Sequence, residues 1–380
     1  MKKAFIVKGS LALLAIGAGH QLHAFAQIAR GTLVADVDLR FTYDTNVFGN
    51  SSEEDDVSTT LSPSLSYTRN VARVTTSASA GVSAISFTDY TEQNTIDPNA
   101  SLRFDYDAAD NGNATVGLDY SRSTQTNEAL LTRTSSDEYR GSATVNYFYS
   151  EKTGVRLNGG YRVSNYSTSG FNNVSSYNLG GGLVYRYSPK LTASLVYGFS
   201  PEKASNLASG VGDPSSNNHR VSLGFEGQIA PKVTGNVSGG VVHRDFDGAQ
   251  DSQTAALANV GLSWRAAQKT TATLSISNDF DTTASGQSVQ NFSARVGVRQ
   301  TLTEKLSGGA TLTYAQSEYE ASGVVPARSD DSLTEAIDLS YSVNDYLSLG
   351  AGASYRLNNS DSATADYGRL SLFLSASLNF

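Results

Sequence analysis

From Leu33 onward the chain alternates. Leu33, Ala35, Val37, Leu39, Phe41 and Tyr43 share one parity, and Asp36, Asp38, Arg40 and Thr42 share the other. Successive side chains of an extended chain point to opposite faces, so this stretch predicts a strand with one apolar and one polar face. The same beat continues to the last residue. Strands are expected near 33–43, 57–68, 73–87, 98–107, 114–123, 138–149, 154–165, 175–187, 191–200, 219–229, 233–244, 254–266, 270–281, 289–301, 306–317, 333–343, 347–357 and 366–380. The count is eighteen, with sixteen as the alternative. The least regular places are the third strand, where the parity slips between Val82 and Ile85 as at a bulge, and the hairpin at Asp107–Asn113.

Connections alternate in length. Short turns sit at Arg69–Ala72, at Asn344-Asp345 and at five sites ending in Lys152, Lys190, Lys232, Lys269 and Lys305. The five lysines recur every 36 to 42 residues, one hairpin per repeat. Longer segments lie between them, of which 201–218 is the expected inward-folding constriction. The predicted fold is all-β: an antiparallel up-and-down transmembrane barrel with short periplasmic turns and longer extracellular loops. An even strand count puts both ends on the short-turn side.

Charge obeys the alternation. Arg40, Arg103, Arg140, Arg156, Arg162, Arg186, Arg220, Arg244, Arg265, Arg295, Arg299, Arg356 and Arg369 fall on the polar face, with Asp105, Asp119 and Asp338. Of these, Arg40, Arg103, Asp105, Asp119, Arg156, Arg162, Arg186, Arg265, Arg295, Arg299, Asp338 and Arg356 are the candidates to line a lumen. Arg122 and Glu335 fall on the apolar face, close to long-loop ends where headgroups are within reach. Tyr43, Tyr67, Tyr106, Tyr120, Tyr147, Tyr149, Tyr185 and Tyr187 also sit near strand ends on the apolar face, as interfacial aromatics do.

Composition changes the picture in three ways. Residues 1–26 have a basic start (Lys2, Lys3), an apolar run and an Ala24-Phe25-Ala26 cleavage site, so a secretory signal is expected there, with a single barrel domain over 27–380. Mean hydropathy is −0.28 and no later stretch is apolar for about 18 residues, which excludes helical spans beyond the signal but not half-apolar strands. There is no cysteine, hence no disulfide and no thiolate metal site.

Of 28 basic and 36 acidic residues, the signal takes three lysines, leaving 25 against 36, a net −11. No basic patch invites nucleic acid. The mature chain would hold two histidines, His219 and His243, with no nucleophile elbow, phosphate loop or zinc spacing around them. No enzyme activity, cofactor or metal is expected. The run Glu53-Glu54-Asp55-Asp56 suits a solvated loop tip better than a cation site bridging lipopolysaccharide, because its spacing fits no calcium loop.

Two stretches carry a resemblance. Residues Leu374, Ala376, Leu378 and Phe380 resemble the terminal strand of bacterial outer-membrane barrels. That resemblance implies that they are read by the barrel assembly machinery and that the strand closes on the first one. Tyr43-Asp44-Thr45-Asn46-Val47 resembles the element ending the first strand of the putative β-barrel porin 2 family, and the hairpin layout extends the likeness over residues 30–380. The resemblance implies a bacterial outer-membrane protein in contact with lipid and lipopolysaccharide. The expected function is a porin-like channel for small solutes. The alternative is a barrel of an exopolysaccharide export or envelope assembly system, binding polysaccharide through its Ser, Thr, Asn and Tyr side chains.

Overall fold

The computed structural model describes residues 26–127, 132–168, 171–205, 215–247, 251–321 and 325–380. Of the expected signal, residues 1–25 lie outside these. The strands are β1 (Ala26–Ile28), β2 (Gly31–Asp44), β3 (Asp56–Val71), β4 (Val74–Phe87), β5 (Thr95–Asp107), β6 (Gly112–Asn127), β7 (Thr132–Phe148), β8 (Thr153–Tyr166) and β9 (Asn173–Ser188). They continue with β10 (Leu191–Ser205), β11 (Ser215–Ala230), β12 (Val233–Phe246), β13 (Gln253–Ala267), β14 (Thr270–Thr282), β15 (Ser288–Thr301), β16 (Leu306–Tyr319), β17 (Arg328–Ser342), β18 (Leu347–Ser360) and β19 (Tyr367–Asn379).

Each of β2–β19 pairs antiparallel with its sequence neighbours, and β19 pairs with β2. The result is a closed ring of eighteen strands, as the alternation predicts. Closure leaves no edge in hydrocarbon, where each unpaired backbone group costs several kcal/mol. At the seam, Ser371 faces Asp44 and the ladder runs to Asn379 opposite Asp36. Phe380 extends it: its N–H donates to the Ala35 carbonyl at 2.9 Å. Below that point β1 takes over, with Ala26 opposite Leu33.

Several strands outrun the prediction. β6 and β7 reach Asn127 and Thr132, although 124–137 reads as loop. The Pro201–Asn218 segment is strand at both ends, to Ser205 and from Ser215, while 206–214 fall outside the described residues. Polar residues end the apolar alternation before the backbone pairing ends. A membrane needs only about 9–11 residues per strand, and β7 has 17. The bulge expected in the third strand is absent: Leu61–Ala84 and Ser64–Gly81 keep one register. Ile85 and Phe87 simply point inward, and the gap in pairing falls at Pro63, which has no N–H to give. Bulges occur instead beside short turns, at Leu191, Gln228–Ala230 and Trp264–Ala267. The Asp107–Asn113 hairpin turns through a single 3-10 turn, Ala109–Asn111. Gly112 leaves it at φ +126°, where a Cβ would lie 1.9 Å from the Asn146 carbonyl oxygen.

Candidate lumen and its constriction

The outer face is apolar and open. Leu374, Ile337 and Leu179 are each 63% exposed. Tyrosines border this face at both ends. On β7, Tyr147 and Tyr139 are eight residues apart, as are Tyr185 and Tyr177 on β9. Eight residues span roughly 26 Å of strand, or roughly 20 Å of height at a tilt of about 40°. That approaches the apolar band of about 25 Å in such barrels.

The inner face identifies itself by contacts between strands that are not neighbours. Arg162 on β8 donates to Asp281 on β14 at 2.7 Å. Arg220 on β11 reaches Asp279 on β14 at 3.0 Å, and Arg156 on β8 reaches Glu226 on β11 at 3.1 Å. Such side chains can meet only across the interior. Residues directly opposite in a ladder share a face, so this parity can be carried round the ring. It places Arg40, Arg103, Asp105, Asp119, Arg186, Arg295, Arg299, Asp338 and Arg356 on the inner side with Arg156 and Arg162. Arg265 follows the outward Trp264 inside a bulge, where the register with β14 shifts and the alternation does not carry through.

The Arg162–Asp281 bond also reports the shape. In a circular barrel of eighteen strands, β8 and β14 would be roughly 30 Å apart. An arginine and an aspartate in contact bridge at most about 12 Å between Cα atoms. The wall from β8 to β14 is therefore folded into a narrow lobe, held shut by ion pairs at its long-loop half.

Arg244 lies at the centre of that lobe. It is 1% exposed and donates to Glu202 at 2.9 Å, to Ser216 at 3.1 Å, to the Asp281 carbonyl at 3.0 Å and to Thr282. Glu202, 7% exposed, also accepts the Thr282 hydroxyl at 2.7 Å. A buried charge pair with its remaining donors satisfied tolerates the loss of water; a half-pair would not. Above it, the Asn172 N–H donates to the Ala284 carbonyl at 2.8 Å and joins two loops across the mouth.

Inward aromatics carry guanidiniums. Arg186 lies 3.6 Å over Phe148, Arg40 4.0 Å over Phe373, Arg328 4.4 Å over Tyr319 and Arg244 5.3 Å over Phe246. Cation–π contact of this kind fixes the plane of the guanidinium and leaves its N–H edge for other partners.

The Tyr43–Val47 element sits at the long-loop end of the seam. Asp44 is buried and accepts Arg369 Nε at 2.8 Å, Ser371 Oγ at 3.0 Å and the Asn46 N–H at 2.9 Å. Thr45 Oγ1 accepts the Leu370 N–H at 2.9 Å, and its own N–H donates to the Leu370 carbonyl. Asn46, wholly buried, spans to the Asn50 and Gly368 carbonyls. The element takes over where the β2–β19 ladder stops.

Over residues 31–380 the sequence matches the family described as Putative beta-barrel porin 2. The chain belongs to that family. It is an outer-membrane β-barrel. No curated protein matches it. Solved structures with similar folds include the outer membrane protein OpdK from Pseudomonas aeruginosa, 12% identical, covering 92% of this chain and 99% of that one at a TM-score of 0.47. OccK3 (OpdO) from Pseudomonas aeruginosa is 15% identical, covering 92% and 96% at 0.44. The siderophore receptor PiuA from Acinetobacter baumannii is 10% identical, covering 94% and 82% at 0.48.

In this porin-family barrel, Glu202 was hidden from the alternation because it falls in a segment that reads as loop. Arg244 shows the inward parity, but nothing in the sequence marks it as the buried one. The four acidic residues at 53–56 are engaged separately. Glu53 accepts the Gly368 N–H, Asp55 the Tyr43 hydroxyl, and Asp56 the N–H groups of Asp89 and Tyr90. Glu54 accepts the Tyr90 hydroxyl at 2.5 Å, a bond that pushes the phenol up to about 12. Arg122 does face outward, where Asp137 holds it at 2.8 Å and accepts the Tyr120 hydroxyl. His219 and His243 face each other across β11 and β12 on the outer side. His219 bonds the Tyr197 hydroxyl, and His243 bonds Thr254 and Asp245.

Proposed function

We propose that this protein is a channel that passes small solutes across the outer membrane. The observation that carries the reading is the charged, solvent-accessible inner face. Arg103 on β5 and Arg299 on β15 are inward charges on well-separated strands, and their side chains are 58% and 59% exposed. Barrels of eighteen strands are wide enough to leave an aqueous lumen. The role is transport, without chemistry on the solute. On this reading the apolar outer face contacts lipid, and the tyrosine and Arg122–Asp137 rim meets lipopolysaccharide. Leu374, Ala376, Leu378 and Phe380 serve as the signal to the assembly machinery.

The export reading, with polysaccharide in the lumen, would use inward aromatic faces as platforms for sugars. Arg186, Arg40 and Arg328 cover such faces, which favours the small-solute channel. Folded protein in planar bilayers is expected to give discrete conductance steps, reduced by sugars of increasing size. Electrical silence of protein that still shows heat-modifiable migration would sink the channel reading.

A further inference from the structure

At the long-loop end, β6 and β7 stay paired beyond the point where β6 leaves β5. The β5–β6 ladder stops at Asn99–Ser121, while the β6–β7 ladder runs to Asn127–Thr132. The freed hairpin leans into the lumen relative to β4 and β5. Thr124 and Arg133 share the parity of Arg122 and belong to its outer face. Yet Thr124 donates through its N–H at 2.9 Å and its hydroxyl at 2.8 Å to Asp97, which points inward from β5. Arg133 lies 4.9 Å over the ring of Phe87, which points inward from β4. The outer face of the hairpin therefore rests on the inner face of its neighbours, and its own inner face stands further inside.

With β8, that inner face lines a cavity of about 270 Å³. None of its nine lining residues is aliphatic; β6 gives Ser121, Ser123 and Gln125, β7 gives Ser136 and Glu138, and β8 gives Tyr166. Hydroxyls elsewhere on the inner face satisfy one another, as Ser62 does with Ser83 at 2.8 Å and Ser79 with Ser101 at 2.7 Å. Here the side chains of Ser121, Ser123, Gln125, Ser136 and Tyr166 have no hydrogen-bond partner among the described residues. The neighbouring charges are matched. Arg140, opposite Asp119 in the ladder, donates to Glu138 at 2.6 Å, and Arg162 donates to Asp281 at 2.7 Å. Arg122 and Asp137 pair on the outer side. The second oxygen of Glu138 has only a 3.3 Å contact from Ser164. Among the described residues no guanidinium covers the Tyr166 ring, unlike those of Phe148, Phe373 and Tyr319.

We infer that this cavity is a subsite for one neutral sugar ring, met by solutes entering the lumen from the long-loop side. The inference rests on the channel reading above and names the class of solute. Each sugar hydroxyl both donates and accepts, and it loses water without cost only where a partner replaces it. Unpaired serine hydroxyls and a glutamine amide offer both roles, and a carboxylate accepts from hydroxyls without needing a second charge. The tyrosine gives the ring an apolar face with a polar tip. An anion would meet Glu138 with no free cation beside it. The volume falls just below the range of about 300–1,000 Å³ that holds drug-sized ligands, so it suits one ring. A polymer would need further platforms along the lumen, and arginines cover those.

The test is sugar block of the ion current through the folded full barrel in planar bilayers. Glucose, galactose and mannose are compared with tetraethylene glycol, a neutral ether of similar size without adjacent hydroxyls. At least one hexose should reduce the current saturably, and the ether should not. Among variants that keep heat-modifiable migration, Glu138→Gln should weaken that block about ten-fold or more, as a lost hydrogen bond to a charge does. Gln125→Leu with Ser136→Val removes only unpaired groups and should weaken it several-fold. Ser79→Ala, on the satisfied part of the wall, should leave it unchanged. Block that is the same for hexoses and ether, or that follows Ser79→Ala as closely as the cavity variants, overturns the inference and leaves the channel standing. Electrical silence with heat-modifiable migration intact overturns both.

Discussion

At the scale of single residues, Asp44 has the most to lose. It gathers an arginine, a serine and a backbone N–H in a buried position where the first and last strands meet. Hydrogen bonds to charged groups contribute about 1.5–3 kcal/mol each when one partner is removed. Asp44→Ala should therefore lower the temperature at which the folded gel band converts to the unfolded one. Arg369→Met should do the same, and the double variant should cost less than the sum, because the two share one interaction. Tyr43→Phe, which loses an exposed contact of 3.3 Å with Asp55, should stay within about 0.5 kcal/mol. Equal effects of Asp44→Ala and Tyr43→Phe would show that the seam does not depend on this aspartate.

At the scale of strands, alternation is the strongest constraint, and it makes a prediction on β19. Leu374 is 63% exposed on the outer face, and Ser375 pairs with Arg40 on the inner one. Leu374→Arg should cost about 2–4 kcal/mol at midplane and deplete folded barrel from outer-membrane fractions. Ser375→Arg should be tolerated, since its side chain enters water. Equal damage from the two would reverse the parity of the strand. This period of two is what made the fold legible: Leu33 to Tyr43, or Gly368 to Phe380, declare a face without any tertiary information. Strand ends were not legible, because Asn127 and Thr132 pair above the apolar band, where composition no longer differs from loop. Nor was the β8–β14 lobe. The contact of Arg162 with Asp281 spans 119 residues and depends on how the ring bends, which alternation does not encode. That contact predicts its own outcome. Arg162→Ala with Asp281→Ala removes both charges and strands neither, so the lobe should loosen and single-channel conductance should rise. Unchanged conductance would place the narrowest point elsewhere.

For the molecule as a whole, everything depends on closure: without the β19–β2 ladder there is no inside or outside for the charges to sort between. Closure joins residues near the two ends of the described chain, and this can be captured covalently. Leu39 and Ala376 lie directly opposite each other on the outer face. Opposed residues of an antiparallel pair have Cα atoms about 4.5–5.5 Å apart, within the range of about 4.4–6.8 Å that a disulfide accepts. The chain contains no other cysteine, so Leu39→Cys with Ala376→Cys should yield a single bond on oxidation. That bond would tie 338 residues into a covalent loop, from position 39 to position 376 inclusive. After boiling without reductant, the looped chain should migrate faster than the reduced one. Leu349→Cys with Ala376→Cys is the control, since these residues are opposed on β18 and β19 and need no closure. If the control pair oxidises and the Leu39–Ala376 pair does not, the first and last strands are not joined. An open sheet would then present two bare edges to lipid, at several kcal/mol for each unpaired backbone group, and the lumen would lose the wall that defines it.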